Sequence, residues 1–143
     1  MNLAKNAQKG NAMQLIKRND VPVLRNSGVE SEQLLFPESS AEAKVTITRV
    51  TIPVGTTSPR HAHKESEQVW VVLSGHGTLL LEAEGEAEIQ EGDVVRFAPG
   101  DVHGCFNSGE KPFVYMSVTT PPLNFRTAYA RDWRSATGKP NGQ

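Results

Sequence analysis

At 143 residues the chain fits one domain and is too short to build two well-formed cores. Its 15 Lys and Arg and 16 Asp and Glu are spread along the sequence, which argues against nucleic acid or anionic lipid and leaves a small molecule as the expected partner. The single cysteine, Cys105, excludes an intramolecular disulfide and a thiolate zinc site. The N-terminal stretch has no apolar h-region and no later run is long enough to span a membrane, so a cytoplasmic protein is expected.

In chain order, the first dozen residues are polar and expected to be loosely held, as are the last ten. Alternation at a period of two then sets in. It predicts strands at "EQLLF", "KVTITRVTI", "SEQVWVVLS", "GTLLLEA", "EAEIQ", "DVVRFA", "VHGCFN" and "FVYMSVTT". Gly and Pro punctuate the gaps, as in "PVGTTSP", "SGHG", "EGD", "APGD" and "NSGEKP". Helical periodicity is nearly absent, with one short helix expected between Phe125 and Arg134. The pattern is that of an all-β sandwich or barrel. The expected divisions are an N-terminal arm over 1–42, a barrel over 43–120 and a C-terminal tail over 121–143.

Three of the four histidines stand beside turns at the starts of strands. His61 and His63, two apart, share a face if the chain there is extended. Gln68, Trp70 and Val72 share one face of the next strand, and Val69, Val71 and Leu73 the other. His103 opens a strand on which Cys105 and Asn107 share its face. The alternative for His61 and His63 is a pair of solvated loop residues, and for Gln68 a residue that bonds a histidine from behind.

These two stretches resemble the two motifs of the cupin superfamily. In the first, Gly55 is followed by five residues, His61-Ala62-His63, four residues, Gln68, six residues and Gly75. In the second, Gly92 is followed by five residues, Ala98-Pro99-Gly100, two residues, His103, three residues and Asn107. Ala98 stands where the motif has proline, and Gln68 where it usually has glutamate. Glu67, the acidic neighbour, breaks the spacing and is turned outward by strand parity.

The resemblance is to small single-domain, quercetin-dioxygenase-like cupins. It implies an all-β double-stranded β-helix, or jelly-roll barrel, of antiparallel strands. It further implies one divalent transition metal per chain held by His61, His63, Gln68 and His103, and a homodimer with N-terminal strands paired across the interface. Three imidazoles and a carbonyl oxygen suit Zn, Ni, Fe, Mn, Co or Cu. A neutral ligand set leaves the metal its full double charge, which favours Lewis-acid chemistry on a carbonyl, enol or hydroxy-acid substrate, of lyase, isomerase or cyclase type. A quercetin-dioxygenase-like oxygenase and a non-catalytic small-molecule binding or sensing module are the alternatives.

Among the remaining residues, Tyr115 is a candidate general acid or else a core aromatic. Arg49 and Arg96 are candidates to bind a substrate carboxylate, or else solvated residues of an outer face. Cys105 reads as a small buried residue beside a ligand, and His76, in "SGHGT", as a hairpin residue. Serine-hydrolase, zincin, Walker and dinucleotide motifs are absent from the sequence.

Overall fold

The computed structural model of the protein describes residues 13–134. The polar ends, 1–12 and 135–143, lie outside those residues, and so does the expectation that they are loosely held. The described chain forms ten strands and one short helix: β1 (Val23–Asn26), β2 (Val29–Leu35), β3 (Thr46–Ile52), β4 (Thr57–His61), β5 (Glu67–Ser74), β6 (His76–Leu81), β7 (Glu86–Gln90), β8 (Val94–Phe97), β9 (His103–Phe106), β10 (Phe113–Thr120) and α1 (Arg126–Tyr129). All pairings are antiparallel, in a six-stranded sheet ordered β1-β2-β3-β10-β5-β8 and a four-stranded sheet ordered β4-β9-β6-β7. This is the double-stranded β-helix that the motifs imply.

Two strands escaped the sequence reading. β1 is four residues long, and it turns into β2 through Ser27 and Gly28, both at positive φ (49° and 90°). That is the left-handed two-residue loop that suits the twist of a hairpin. β4 contains Pro59 and carries no clean alternation. β2 pairs with β1 on one side and β3 on the other within the same chain. The "EQLLF" segment is therefore not an open edge waiting for a partner, and residues 23–35 belong to the larger sheet.

Strand parity fixes what looks inward. On β3 the buried residues are Thr46, Thr48, Val50 and Ile52, and Ile47, Arg49 and Thr51 point away. Register then arranges the inner face in rows running across the sheet. Thr46, Thr119 and Gln68 form the first row, and Gln33, Thr48, Ser117 and Trp70 the second. Ser31, Val50, Tyr115 and Val72 form the third, and Ile52 faces Phe113 in a fourth. Polar side chains thus give way to apolar ones from one end of the interior to the other. The apolar end packs with Leu79, Ile89 and Cys105 of the smaller sheet into the hydrophobic core.

At Gly75 the chain leaves β5 in one sheet and enters β6 in the other. A Cβ there would lie 2.6 Å from the Pro112 carbonyl oxygen, and φ is 91°, so the passage accepts only glycine. After β10, residues 121–134 run back over the open end as a strap. The Thr46 hydroxyl donates to the Leu123 carbonyl at 2.7 Å and accepts from the Leu123 amide at 2.9 Å. Asn26 donates to the carbonyls of Tyr129 and Arg131, and Glu38 accepts from Asn124 and Arg126. The helix expected between Phe125 and Arg134 is present as the single turn α1 within this strap.

Candidate metal centre

β4 and β9 bring two of the sequence-singled histidines face to face, because His61 stands opposite His103 in their register. The close approach depends on Gly104. A Cβ at that position would lie 2.7 Å from the Ser58 carbonyl oxygen and 2.8 Å from the Pro59 carbonyl carbon. His63 joins them beyond the end of β4, giving ring-centroid separations of 4.4 Å for His61 and His103, 4.9 Å for His61 and His63, and 5.2 Å for His63 and His103. One ring nitrogen from each of the three lies within 4.8 Å of the others.

The neighbours orient each ring. His61 Nδ1 lies 2.8 Å from the Pro59 carbonyl oxygen and His103 Nδ1 lies 3.0 Å from that of Asp101. A carbonyl only accepts, so both Nδ1 atoms carry the proton and both Nε2 atoms present lone pairs. Phe97 stacks on His103 at 4.1 Å, and Phe125 meets the edge of His63 at 5.8 Å. His63 Nε2 is buried and has no hydrogen-bond partner among the described residues. Such an orphaned nitrogen calls for a ligand.

Gln68, 4% exposed, reaches the same point from β5. The indole Nε1–H of Trp70 donates to Gln68 Oε1 at 2.7 Å, and Gln68 Nε2 donates to the Thr119 hydroxyl at 2.8 Å. An indole nitrogen can only donate, so the atom facing it is the oxygen and the amide has one orientation. That oxygen stands 3.2 Å from His103 Nε2. Two acceptors therefore confront each other. Two ligands each about 2.1 Å from a shared ion stand about 3 to 3.4 Å apart, so the donor set fits a metal.

Burial lowers the pKa of all three histidines. His63 is brought down to about 4 by desolvation and then by its proximity to His61. His103 falls to about 3 by desolvation and the neighbouring His61, against an opposing contribution from its bond to Asp101. His61 is the solvent-facing member, yet the protein around its ring holds it below the ordinary value too, partly offset by the Pro59 carbonyl. All three are neutral at pH 7, the form that binds a metal.

His61, His63 and Gln68 line a cavity of about 380 Å³ between the two sheets and the strap. Tyr115 lines it, stacked on Trp70 at 3.9 Å, and burial pushes its phenol well above the ordinary tyrosine value. Arg49 and Arg96 do not enter. Arg49 alternates with the buried Thr48 and Val50 and pairs with Glu32 on the outer face, at 3.6 Å. Arg96 is exposed and pairs with Glu67 at 2.5 Å, which also shows Glu67 turned outward. The expectation of an arginine inside the barrel is met by neither. Cys105 is fully buried in the core with its thiol pushed far up by desolvation. His76 opens β6 and pairs with Glu88 at 2.8 Å, away from the cavity. The sequence reading missed the strap, which contributes Leu123, Phe125, Tyr129 and Trp133 to the lining.

The model for the Cupin domain matches residues 48–119, half of the chain. An uncharacterized protein of Methanocaldococcus jannaschii, MJ1618, is 28% identical over 103 residues, covering 72% of this chain and 82% of that one. A glucose-6-phosphate isomerase of Pyrococcus abyssi is 36% identical over 62 residues, covering 41% of this chain and 33% of the isomerase, so the chain spans about a third of that relative. Among solved structures, a predicted oxalate decarboxylase from Thermotoga maritima superposes with a TM-score of 0.66 at 21% identity, over 77% of this chain and 100% of that one, and shares the fold. With both motifs in place on a double-stranded β-helix and the domain model matched across them, the chain belongs to the cupin family.

Proposed function

We propose that the chain is a metal-dependent cupin enzyme of redox-neutral type, an isomerase, lyase or cyclase, acting on a small carbonyl, enol or hydroxy-acid compound. His61, His63, Gln68 and His103 are the ligands in this reading. The observation that carries it is the opposition of His103 Nε2 and Gln68 Oε1 at 3.2 Å, two lone-pair atoms held in place by Asp101 and Trp70. Together with the orphaned His63 Nε2, these atoms would hold a divalent cation, which would relieve that repulsion.

A divalent metal bound there would supply Lewis acidity, with no anionic side chain in this ligand set to diminish it. The chain's own residues do the rest. Tyr115, protonated across the physiological range, offers its phenol as a hydrogen-bond donor to a substrate oxygen in the cavity. The aromatic strap residues Phe125, Tyr129 and Trp133 cover the cavity and displace water from the site.

The decisive experiment is elemental analysis of protein purified without chelator, run beside an oxygen-uptake assay over hydroxycarbonyl and enol substrates. Bound metal with turnover and no oxygen uptake supports the reading. Oxygen consumption coupled to substrate loss would shift it to the oxygenase alternative, and metal binding without turnover on any class to a binding module. The reading also has the chain a cytoplasmic homodimer. The exposed Val71, Leu73 and Val94, side by side on the outer face of β5 and β8, support the dimer. A monomer by light scattering at working concentration removes it.

A further inference from the structure

The rows beyond Gln68 carry hydroxyls where a packed core would carry aliphatic side chains. Thr48 and Ser117 face each other across β3 and β10, at 2% and 3% exposure, with Tyr115 one row deeper. All three line the cavity. Among the described residues, the side-chain hydroxyls of Thr48, Ser117 and Tyr115 make no hydrogen bond to protein. Each is a donor and an acceptor left open toward the cavity.

Among the described residues, the buried polar side chains are hydroxyls, amides and one histidine, with no Lys, Arg, Asp or Glu. Of the charged residues in the cavity wall, Arg60 directs its guanidinium to the carbonyls of Leu81 and Gly85, and Arg131 and Asp132 are exposed. An anionic group carried past the histidines to the Thr48 and Ser117 row would lose its water and meet no counter-charge, a large penalty. A hydroxyl there would meet open donors and acceptors, and a wall built for hydroxyls discriminates against compounds that lack them.

We infer that the substrate is polyhydroxylated, with an uncharged, hydroxyl-bearing carbon chain or ring that lies on Thr48, Ser117 and Tyr115, and that any anionic group it has stays at the histidine end or the rim. This rests on the proposed function, whose metal site fixes which end of the molecule reacts. Thr48 and Ser117 are thereby specificity residues.

The test compares D-gluconate with D-glucarate, which share a six-carbon hydroxylated skeleton and differ in having a carboxylate at one end or both. Calorimetric titration of the metal-loaded full chain should show gluconate bound about tenfold or more tighter than glucarate. Thr48→Val and Ser117→Ala should each weaken gluconate binding about three- to tenfold, the loss of one hydrogen bond, with metal content unchanged. Glucarate bound as tightly as gluconate, gluconate binding unaltered in both variants, or no binding of either probe would overturn the inference. Elemental analysis of the same samples judges the metal separately. A chain without metal overturns the proposed function, and the gluconate-to-glucarate ratio on metal-free protein then decides whether the wall is as described.

Discussion

The indole nitrogen of Trp70 donates to Oε1 of Gln68 at 2.7 Å, both groups buried, and so fixes which end of the amide looks at His103. Removing the donor while keeping an aromatic ring, Trp70→Phe, frees the amide to rotate. Metal affinity should fall about 10- to 100-fold, as for other groups that orient a ligand from behind. If Trp70 acts through Gln68, adding Trp70→Phe to Gln68→Ala should cost little more than Gln68→Ala alone. Fully additive losses in a competition assay against a chelator would show that Trp70 acts by packing only.

Gln68→Glu restores the residue usual at this motif position. The carboxylate should still bind metal, since it occupies the same place with more charge, with the Thr119 hydroxyl turned to donate instead of accept. Turnover should drop about tenfold or more, because the added negative charge weakens polarisation of a substrate carbonyl. Metal content and rate are read on the same preparation. Undiminished turnover with metal retained would show the glutamine to be incidental and favour oxygen chemistry.

The histidine cluster makes the metal-free protein acid-sensitive in a definite window. His63 titrates at about 4 and His103 at about 3 in the folded chain, against an ordinary value of about 6.5 when unfolded. Between those limits the unfolded chain binds the protons, so stability declines as pH falls from about 6.5 toward 4 and 3. Glu32 and Glu38, held low by Arg18 and Arg126, lose their contribution only below the ordinary carboxylate range. Thermal melts of metal-free protein between pH 7 and 5 should therefore show a falling Tm. A His63→Gln, His103→Gln variant should fall less steeply there, with only the His61 contribution left. Parallel slopes in the two proteins would assign the effect elsewhere.

Gly104→Ala should separate β4 from β9. A methyl 2.7 Å from the Ser58 carbonyl oxygen has only backbone to displace, and overpacking of this kind costs about 1–3 kcal/mol. The displacement falls between His61 and His103, so metal affinity should drop along with stability. Gly77→Ala, whose methyl would meet the Cys105 thiol at 3.1 Å and the Phe113 ring at 3.3 Å, should lose stability with metal binding preserved. Denaturant titration and metal competition on both variants check this. Equal metal loss in the two would mean that the spacing at Gly104 has no special role.

Much of this was legible in the sequence because turns and strand parity are local. The spacing around His61, His63, Gln68 and His103 put four side chains on inward faces, and the structure brings them to one point. What resisted was the interior itself. On β3, Arg49 sits between Thr48 and Val50, and a strand whose inner face carries Thr46 and Thr48 lacks the apolar-polar contrast that reveals its orientation. On β10 the inner face carries Tyr115, Ser117 and Thr119 and the apolar Met116 and Val118 alternate with them, so the contrast is again missing. The strap from Leu123 to Trp133 has no period at all, and its place over the cavity depends on distant partners, Asn26, Glu38 and Thr46. Nothing local encodes those contacts.

The gradient from hydroxyls to aliphatics along β3 and β10 divides each strand between two tasks. Ile52 and Phe113 anchor the fold at one end, and at the other Thr48 and Ser117 line the cavity while Thr46 and Thr119 hold the strap and Gln68. A lineage built on this plan can exchange the residues at the hydroxyl end, and so change what it accepts, without disturbing the packing that holds its sheets together. Diversification is then a matter of rewriting half a strand, with the remainder kept as a fixed foundation.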